Sequence, residues 1–459
     1  MAAALKEKGE DAPHKIAPEG HLVYTILCID MGRKPQKTGR KTAARRGNDA
    51  MKVLLVNKFH YRKGGSETYY FALADALRDA GHEVRFFAME SEKNLPCQQE
   101  QYFVSNVEYN GPQGAAAQLK SAVKLLYSFE AKKKFAQLLE AEKPDIVHMN
   151  LVHRQITLSI VDVCKKAGVP VVFTQHDLIC VCPNYTCLAP DGICEECLGG
   201  NFMPCVKKGC VKGSKAKSLL GAAEAVLYKA RGSYNKIDLY ITPSAWYRGL
   251  LEKAAFTKAP ILHMTNFLPL GTRYEARPAQ SEDLLYLGRL SREKGLATLL
   301  KAMALCPGAR LKIAGDGPQK EELEALAKEL QLGERVEFLG FVSGQPLQEL
   351  VAGCKAVVLP SEWYENGPYS VMEALAAGKP VLGSRIGGIP ELVKDGQTGF
   401  TFEAGSAEAL AGAVEKLLAL PAGEYEALCA GAVEFAREKF GAEGYRDKLL
   451  ELYSGLLKR

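Results

Sequence analysis

The sequence predicts an α/β protein made of two Rossmann-like parallel-sheet domains that face each other across a cleft. Three observations predict it. At 459 residues the chain is too long for one ordinary core. From Met51 onward, short apolar runs alternate with amphipathic stretches of helical period, the pattern of parallel strands and crossover helices. The alternation restarts at Leu284, after a Leu268–Asp283 stretch that carries Pro269, Gly271 and Pro278 and reads as a linker.

The elements follow in order. Val53–Phe59 reads as the first strand, followed by a glycine-containing loop and a helix from Ser66 to about Ala80. Glu83–Met89, Asp145–Met149, Val169–Thr174, Leu239–Thr242 and Ile261–Thr265 complete the strands of the first half. The second half has Leu284–Leu287, Arg310–Ala314, Val336–Leu339, Ala356–Leu359 and Val381–Gly383. Helical pattern resumes at Ala407, and Glu424–Lys439 and Tyr445–Lys458 are amphipathic. The expected domains are therefore residues 51–270 and 284–440, with 441–459 as a terminal helix.

Hydrophobic content of 47% and charged content of 24% fit a globular chain and exclude a fibrous or wholly disordered one. The net charge of +6 comes mostly from residues 1–50, which hold ten Lys or Arg against six acids. Those residues read as a disordered basic tail, dispensable and consistent with an upstream start codon, against a sharper reading as an arm for membrane or nucleic acid. The Leu22–Ile29 apolar run is too short to span a membrane and lacks a signal peptide's cleavage pattern. The expected location is cytoplasmic, with peripheral contact at the inner membrane face, and no nucleic-acid partner.

The chemistry concentrates where strands end. Pro360-Ser361-Glu362-Trp363-Tyr364-Glu365-Asn366-Gly367-Pro368-Tyr369 follows the Ala356–Leu359 run, and Glu373 lies eight residues after Glu365, in the helix that opens near Pro368. Two carboxylates with backbone amides between them suit a ligand with many hydroxyls and a phosphate. Gly288-Arg289-Leu290-Ser291-Arg292-Glu293-Lys294-Gly295 follows the next domain's first strand. Arg289 can hold phosphate oxygens in a bidentate fork, and Lys294 adds a mobile charge. Lys63-Gly64-Gly65-Ser66-Glu67 joins the first strand to the first helix, where glycine permits close approach and the helix end offers N–H donors. On its own that turn is equally an ordinary strand–helix connection. Gly315-Asp316-Gly317-Pro318 and Gly387-Gly388 read mainly as turns.

Together these blocks resemble the retaining, nucleotide-sugar-dependent glycosyltransferases of family 4, with the GT-B fold. The Glu, seven residues, Glu spacing of Glu365 and Glu373 is the family's donor motif, and Arg289 and Lys294 match its diphosphate-binding pair. The matches cover residues 51 to about 405. The resemblance implies that Glu373 binds the ribose hydroxyls and that Glu365, with the amides of Asn366, Gly367 and Tyr369, meets the donor sugar. Gly64 and Gly65 would approach the donor phosphates. Many relatives have Ser-Phe-Gly after the first Glu, whereas this chain has Asn-Gly-Pro-Tyr, which blurs the sugar's identity. His176, at a strand end, matches a His that lies near donor sugar and acceptor in the family. The implied chemistry is front-side transfer with retention, with no divalent cation required and the leaving diphosphate neutralised by Arg289, Lys294 and helix N-termini. The final helix is expected to cross back to the first domain.

Seven of the thirteen cysteines lie between Cys180 and Cys210, an insertion just after His176-Asp177. Reduced thiols are expected, so a structural zinc ion outranks disulfides. Cys194 and Cys197 form the best ligand pair, completed by Cys182 and Cys210; free thiols are the competing reading, and an iron–sulfur cluster ranks lower. Lys212–Arg231 and Ala122–Leu139 are basic and amphipathic, and such faces suit an anionic membrane or plain solvent.

The expected function is transfer of a hexose-type sugar from a nucleotide-diphosphate sugar to a glycan or lipid-linked acceptor, in cell-surface polysaccharide biosynthesis. Two rivals stand beside it. One is a nucleotide-sugar epimerase, against which the Glu spacing argues. The other is a metal-binding interaction protein on a degenerate transferase scaffold, against which the intact Arg289, Lys294, Glu365 and Glu373 set argues.

Overall fold

The computed structural model describes residues 50–106 and 124–458. The basic tail therefore lies outside the described residues except for Ala50, as do Ala122 and Val123 of the first basic segment.

Two six-stranded parallel sheets organise the chain. The first holds β1 (Lys52–Val56), β2 (Glu83–Phe87), β3 (Ile146–Met149), β4 (Val171–Thr174), β7 (Leu239–Thr242) and β8 (Ile261–His263). Its order is β2-β1-β3-β4-β7-β8. β5 (Leu188–Ala189) and β6 (Gly192–Ile193) form a small antiparallel hairpin inside the cysteine-rich segment. The second sheet holds β9 (Asp283–Leu287), β10 (Arg310–Ala314), β11 (Val336–Gly340), β12 (Ala356–Leu359), β13 (Val381–Ser384) and β14 (Gly399–Phe402), in the order β11-β10-β9-β12-β13-β14. β14 is an addition to the strands the sequence pattern suggests. Its four residues follow the Asp395–Gly396 turn, and it becomes a strand through pairing with β13.

The strands read as continuous apolar runs because helices cover both faces. In β1, Val53 and Leu55 enter one core cluster while Leu54 and Val56 enter another. The first of these clusters also contains Leu285, Leu287, Leu359, Tyr445, Leu449 and Tyr453, so one apolar core runs from the first sheet through the second and into the last helix. In each sheet the order reverses beside the opening strand, at β1–β3 and at β9–β12. Crevices at such reversals are where open parallel sheets bind ligands.

The last helix, Ala442–Leu457, packs on Gly65–Asp79 of the first domain. A buried polar chain fixes this contact. His148 Nδ1 shares a hydrogen bond of 2.5 Å with the Tyr453 hydroxyl, and its Nε2 shares one of 2.7 Å with Thr174. Thr174 meets the Tyr69 hydroxyl at 3.1 Å, and Tyr69 meets the Tyr445 hydroxyl at 2.8 Å. Burial pulls the pKa of His148 from 6.5 down to about 3, helped by the neighbouring His176. Buried His153 and His60 are pulled to about 3 and about 4 in the same way.

These imidazoles stay neutral in the fold and take up protons when unfolded. Their contribution is complete above the unfolded value of 6.5 and is lost as pH falls from there towards 3. The urea midpoint should therefore drop between pH 7.5 and pH 5. Tyr453→Phe should cost about 1–2 kcal/mol at pH 7.5, because His148 loses one buried partner. A midpoint unchanged by both the acid shift and the substitution would contradict this account.

Candidate active site

The loops at the carboxyl edges of the two sheets meet. After β12 the chain runs through Pro360–Gly367 into the helix Tyr369–Ala376, with Pro368 at its N-cap. Glu365 is 6% exposed, and its Oε1 receives three donors: Lys294 Nζ at 2.6 Å, the Ser361 hydroxyl at 2.7 Å and Trp363 Nε1 at 2.9 Å. Burial opposes ionisation there, but the Lys294 charge and these hydrogen bonds outweigh it and hold the carboxyl below its ordinary value.

Glycines make this arrangement possible at two points. A Cβ on Gly387, whose φ is +56°, would stand 2.7 Å from both the backbone nitrogen and oxygen of Glu365. Gly388 then donates its N–H to the Glu365 carbonyl at 2.8 Å. The Gly387-Gly388 turn therefore grips the backbone of the carboxylate, a role its spacing does not reveal. Gly295 has φ +69°, and a Cβ there would meet the Pro360 carbonyl oxygen at 1.9 Å. That contact draws the Arg292–Lys294 turn against the β12 loop and delivers Lys294 to Glu365.

Lys294 also stands 5.1 Å from the centroid of the Trp363 ring. Arg289 lies two residues past the end of β9 and is partly exposed. Glu373 is 3% exposed in the helix Tyr369–Ala376. Gly64 and Gly65 open the first helix, and a Cβ on Gly65 would lie 3.2 Å from the Tyr369 ring. The amino ends of these two helices thus converge. The Tyr369 hydroxyl donates to the Phe267 carbonyl at 3.0 Å.

Asn366 is committed across the cleft. Its Nδ2 donates to the Gln175 carbonyl at 2.9 Å, and its Oδ1 accepts from the Ser244 hydroxyl at 2.9 Å. Gly367, at φ +105°, accepts from Asn266 at 3.3 Å. Glu391 accepts the N–H groups of Ala245 and Trp246, at 2.8 and 2.7 Å, and so satisfies the open amino end of the helix Ala245–Ala254 in the other domain. His176 lies next to this seam. Its Nε2 shares a hydrogen bond of 2.9 Å with Asn150, its ring lies 5.0 Å from the Tyr69 ring, and burial pulls its pKa to about 3. A neutral imidazole of this kind suits hydroxyl positioning rather than standing charge. Ser361, Trp363, Asn150 and Glu391 received no role from the sequence; each acts through a contact between segments distant in the fold or through a loop geometry that spacing alone does not fix.

The cysteine-rich segment leans over the same loops. Arg292 donates to the Pro190 carbonyl at 3.0 Å, and the Tyr364 hydroxyl donates to Glu195 at 2.8 Å. Its thiols stand in pairs: Cys187 hydrogen-bonds to Cys182, and Cys205 to Cys210. The Cys187 hydrogen bond and backbone N–H groups lower Cys182 to about 7, and burial pushes Cys197 up to about 12. Among the described residues no three or more His, Cys, Asp or Glu are arranged to hold a metal ion. The structural zinc ion suggested by spacing at Cys182, Cys194, Cys197 and Cys210 stays a proposal; the charges of Cys182, Cys194 and Cys210 each reach Cys197. Local turns, with Tyr185 N–H on the Cys182 carbonyl at 2.7 Å and Cys210 N–H on the Cys205 carbonyl at 3.1 Å, bring Cys182 to Cys187 and Cys205 to Cys210.

Comparison with known proteins places the chain. Residues 63–268 match the model of Glycosyltransferase Family 4, and residues 273–438 match Glycosyl transferases group 1. An uncharacterized 42.6 kDa protein in the cps region of Klebsiella pneumoniae is 26% identical, over 74% of this chain and 87% of that one. The sulfoquinovosyl transferase SQD2 of Arabidopsis thaliana is 34% identical, over 37% of this chain and 36% of its own length. The crystal structure of Anabaena Alr3699/HepE in complex with UDP and glucose superposes with a TM-score of 0.60 at 20% identity, covering 88% of this chain and all (100%) of that one.

Lys294 and Glu365 are coupled, and removing one partner strands the other. Lys294→Met should destabilise the fold by about 3 kcal/mol, because a buried carboxylate loses its counter-charge. The Lys294→Met/Glu365→Gln double variant should recover a large part of that loss. Additive losses in urea unfolding would show that the two groups do not act as a pair.

Proposed function

The chain is a GT-B glycosyltransferase built from a family 4 and a group 1 domain, and from that premise we propose that it moves a hexose-type sugar, with retention, from a nucleotide-diphosphate sugar to a glycan or glycolipid acceptor. The observation that carries this reading is the meeting of the β9 and β12 loops, which brings Lys294 to 2.6 Å from Glu365, with Arg289 on the same β9 loop and Glu373 in the following helix. The UDP and glucose complex of the Anabaena neighbour supports a nucleotide-sugar donor, and the cps-region relative supports a surface-polysaccharide setting.

In this mechanism Arg289 and Lys294 take the diphosphate, Glu373 takes the ribose diol and Glu365 takes hydroxyls of the sugar. Gly64 and Gly65 let the first helix approach the phosphates. The leaving phosphate oxygen accepts the acceptor's proton on the face from which it departs, while His176 holds a substrate hydroxyl. Charge on the departing diphosphate is met by the two cations and by the amino ends of the helices that begin at Gly65 and Tyr369. The reaction then proceeds in the presence of a chelator, since these groups do the work of a cation.

A panel of UDP-, GDP- and ADP-sugars tests the donor reading. One nucleotide class should raise the melting midpoint, by about 2.7 kcal/mol of added stability at a hundredfold excess over Kd. Glu373→Gln should abolish most of that shift. Absence of a shift with every donor would sink the reading.

A lipid-linked acceptor would bring the first domain to a membrane surface. Among the described residues no helix is long and apolar enough to cross a membrane. The helix Lys215–Ala230 does expose Leu219 at 57% and Val226 at 54%, among lysines. We propose that this face rests on anionic lipid. The chain should co-sediment with vesicles containing phosphatidylglycerol at low salt, and Leu219→Ser/Val226→Ser should release it; no binding by the unaltered chain would reject the membrane contact.

A further inference from the structure

The first domain contributes a second set of charged side chains, three half-buried and one buried, which the donor chemistry does not use. Lys58 follows β1, Arg154 follows β3, Asp177 follows β4, and Glu224 projects from the helix Lys215–Ala230. The first three therefore lie at the carboxyl edge of the first sheet, the edge that carries His176. Arg154 Nε stands 3.7 Å from Glu224 Oε2, and its guanidinium donates to the Pro183 carbonyl at 2.6 Å. Asp177 accepts the Ile179 N–H at 3.1 Å. Glu224 is 2% exposed, and among the described residues its Oε1 has no hydrogen-bond partner.

Tyr185, from the cysteine-rich segment, closes the group on the cleft side. It is 39% exposed, and the Arg154 guanidinium lies 5.7 Å from its ring centroid. Its hydroxyl is pushed up by burial and by Asp177 and Glu293, and pulled down by Arg154 and Arg289, so the charges of both domains reach it. Burial likewise pulls Lys58 down to about 8 and pushes Glu224 up to about 7. The group thus stands within electrostatic reach of Arg289.

A buried carboxylate oxygen without a donor calls for one. The ligand's charge class follows from the balance of the group. Lys58 and Arg154 face Asp177 and Glu224, with Lys63 also in reach of Lys58, so a phosphate entering here would meet the repulsion of two carboxylates as well as attraction. An uncharged ring rich in hydroxyls meets no such penalty. It gives donors to Glu224 and Asp177, offers acceptors to Lys58 and Arg154, and lays an apolar face on the Tyr185 ring.

We propose that Lys58, Arg154, Asp177, Glu224 and Tyr185 form the subsite for the acceptor's terminal sugar, a neutral pyranose-type ring, and that the cysteine-rich segment with the helix after it is the part of this chain that selects the acceptor. This rests on the transferase reading above. Tyr185 is held in the turn that joins Cys182 to Cys187, and it adopts φ +59° there. The segment thus sets an aromatic platform beside the donor site while Arg292 and Tyr364 fasten it to the opposite domain.

The test uses the full chain without donor and a panel of methyl hexosides as probes. Saturation-transfer NMR should detect at least one of them on the unaltered chain. Glu224→Gln, close in shape, and Tyr185→Ala should each weaken that binding by about tenfold or more, as expected when a ligand hydroxyl or stacked face loses its partner. Both variants should keep the donor-induced rise in melting midpoint, which also certifies that they fold. No binding by any neutral hexoside, or affinities within twofold in both variants, overturns the proposal. A preference for a hexose phosphate over every neutral glycoside overturns it as well. A missing donor shift in the unaltered chain removes the transferase reading instead, and leaves the NMR comparison to decide the subsite.

Discussion

The site depends on one buried carboxylate. Glu365 sits almost out of solvent at the end of β12, and its charge survives only because Lys294, Ser361 and Trp363 all donate to the same oxygen. Stranding such a charge costs several kcal/mol, of order 3–5 by experience with broken buried pairs. That penalty makes the surrounding geometry obligatory. Lys294 reaches Glu365 because Gly295 lets its turn approach Pro360, and Glu365 stays in place because Gly387 and Gly388 enclose its backbone. Three glycines from two segments far apart in sequence are therefore tied to a single carboxyl group.

The same loops hold the domains together in this state. Asn366 bonds to Gln175 and Ser244, Glu391 caps the helix Ala245–Ala254, and Trp246 lies 4.0 Å from Tyr364 between ring centroids. Beneath them the last helix is anchored by the His148, Thr174, Tyr69, Tyr445 and Tyr453 chain. Each link is a polar contact in an apolar setting, where a missing partner costs more than a made one gains. Domain movement must therefore exchange the surface links one for another. The helix anchor lies deeper, at residues that are all fully or nearly fully buried, and it suits a pivot better than a latch.

Much of the architecture was legible because it is written in local pattern. Strand runs such as Leu239–Thr242 and Ala356–Leu359 coincide with observed strands residue for residue, since a strand buried on both faces is nearly apolar throughout, and Arg310–Ala314 coincides through its alternation of exposed and buried residues. The first strand was read too long, to Phe59, whereas it ends at Val56. Asn57 leaves the sheet there because its side chain bonds Glu67 at 3.0 Å and takes the Leu151 N–H at 3.2 Å, a tertiary demand that apolar pattern does not carry. β14 escaped notice for the converse reason, being a short run between turns that pairing alone makes a strand. The ends of strands pointed to Arg289, Lys294, Glu365 and Glu373. The pairing of the thiols and the cross-cleft capping by Glu391 stayed hidden, because both depend on which segments the fold brings together.

The Lys294–Glu365 pair also bears on how the cleft manages charge. In the arrangement seen, the ammonium is already balanced by a carboxylate 2.6 Å away, so the pair presents little net field to an incoming anion. The ammonium has three N–H donors and spends one on Glu365, so Lys294 can turn the others to a phosphate without leaving the carboxylate. In the proposed mechanism Arg289 joins it at the diphosphate end, where its planar guanidinium can hold phosphate oxygens in a bidentate fork. A cation compensated within the protein can stay beside the desolvated carboxylate at little cost, which is what keeps the Lys294 side chain, only 20% exposed, at Glu365.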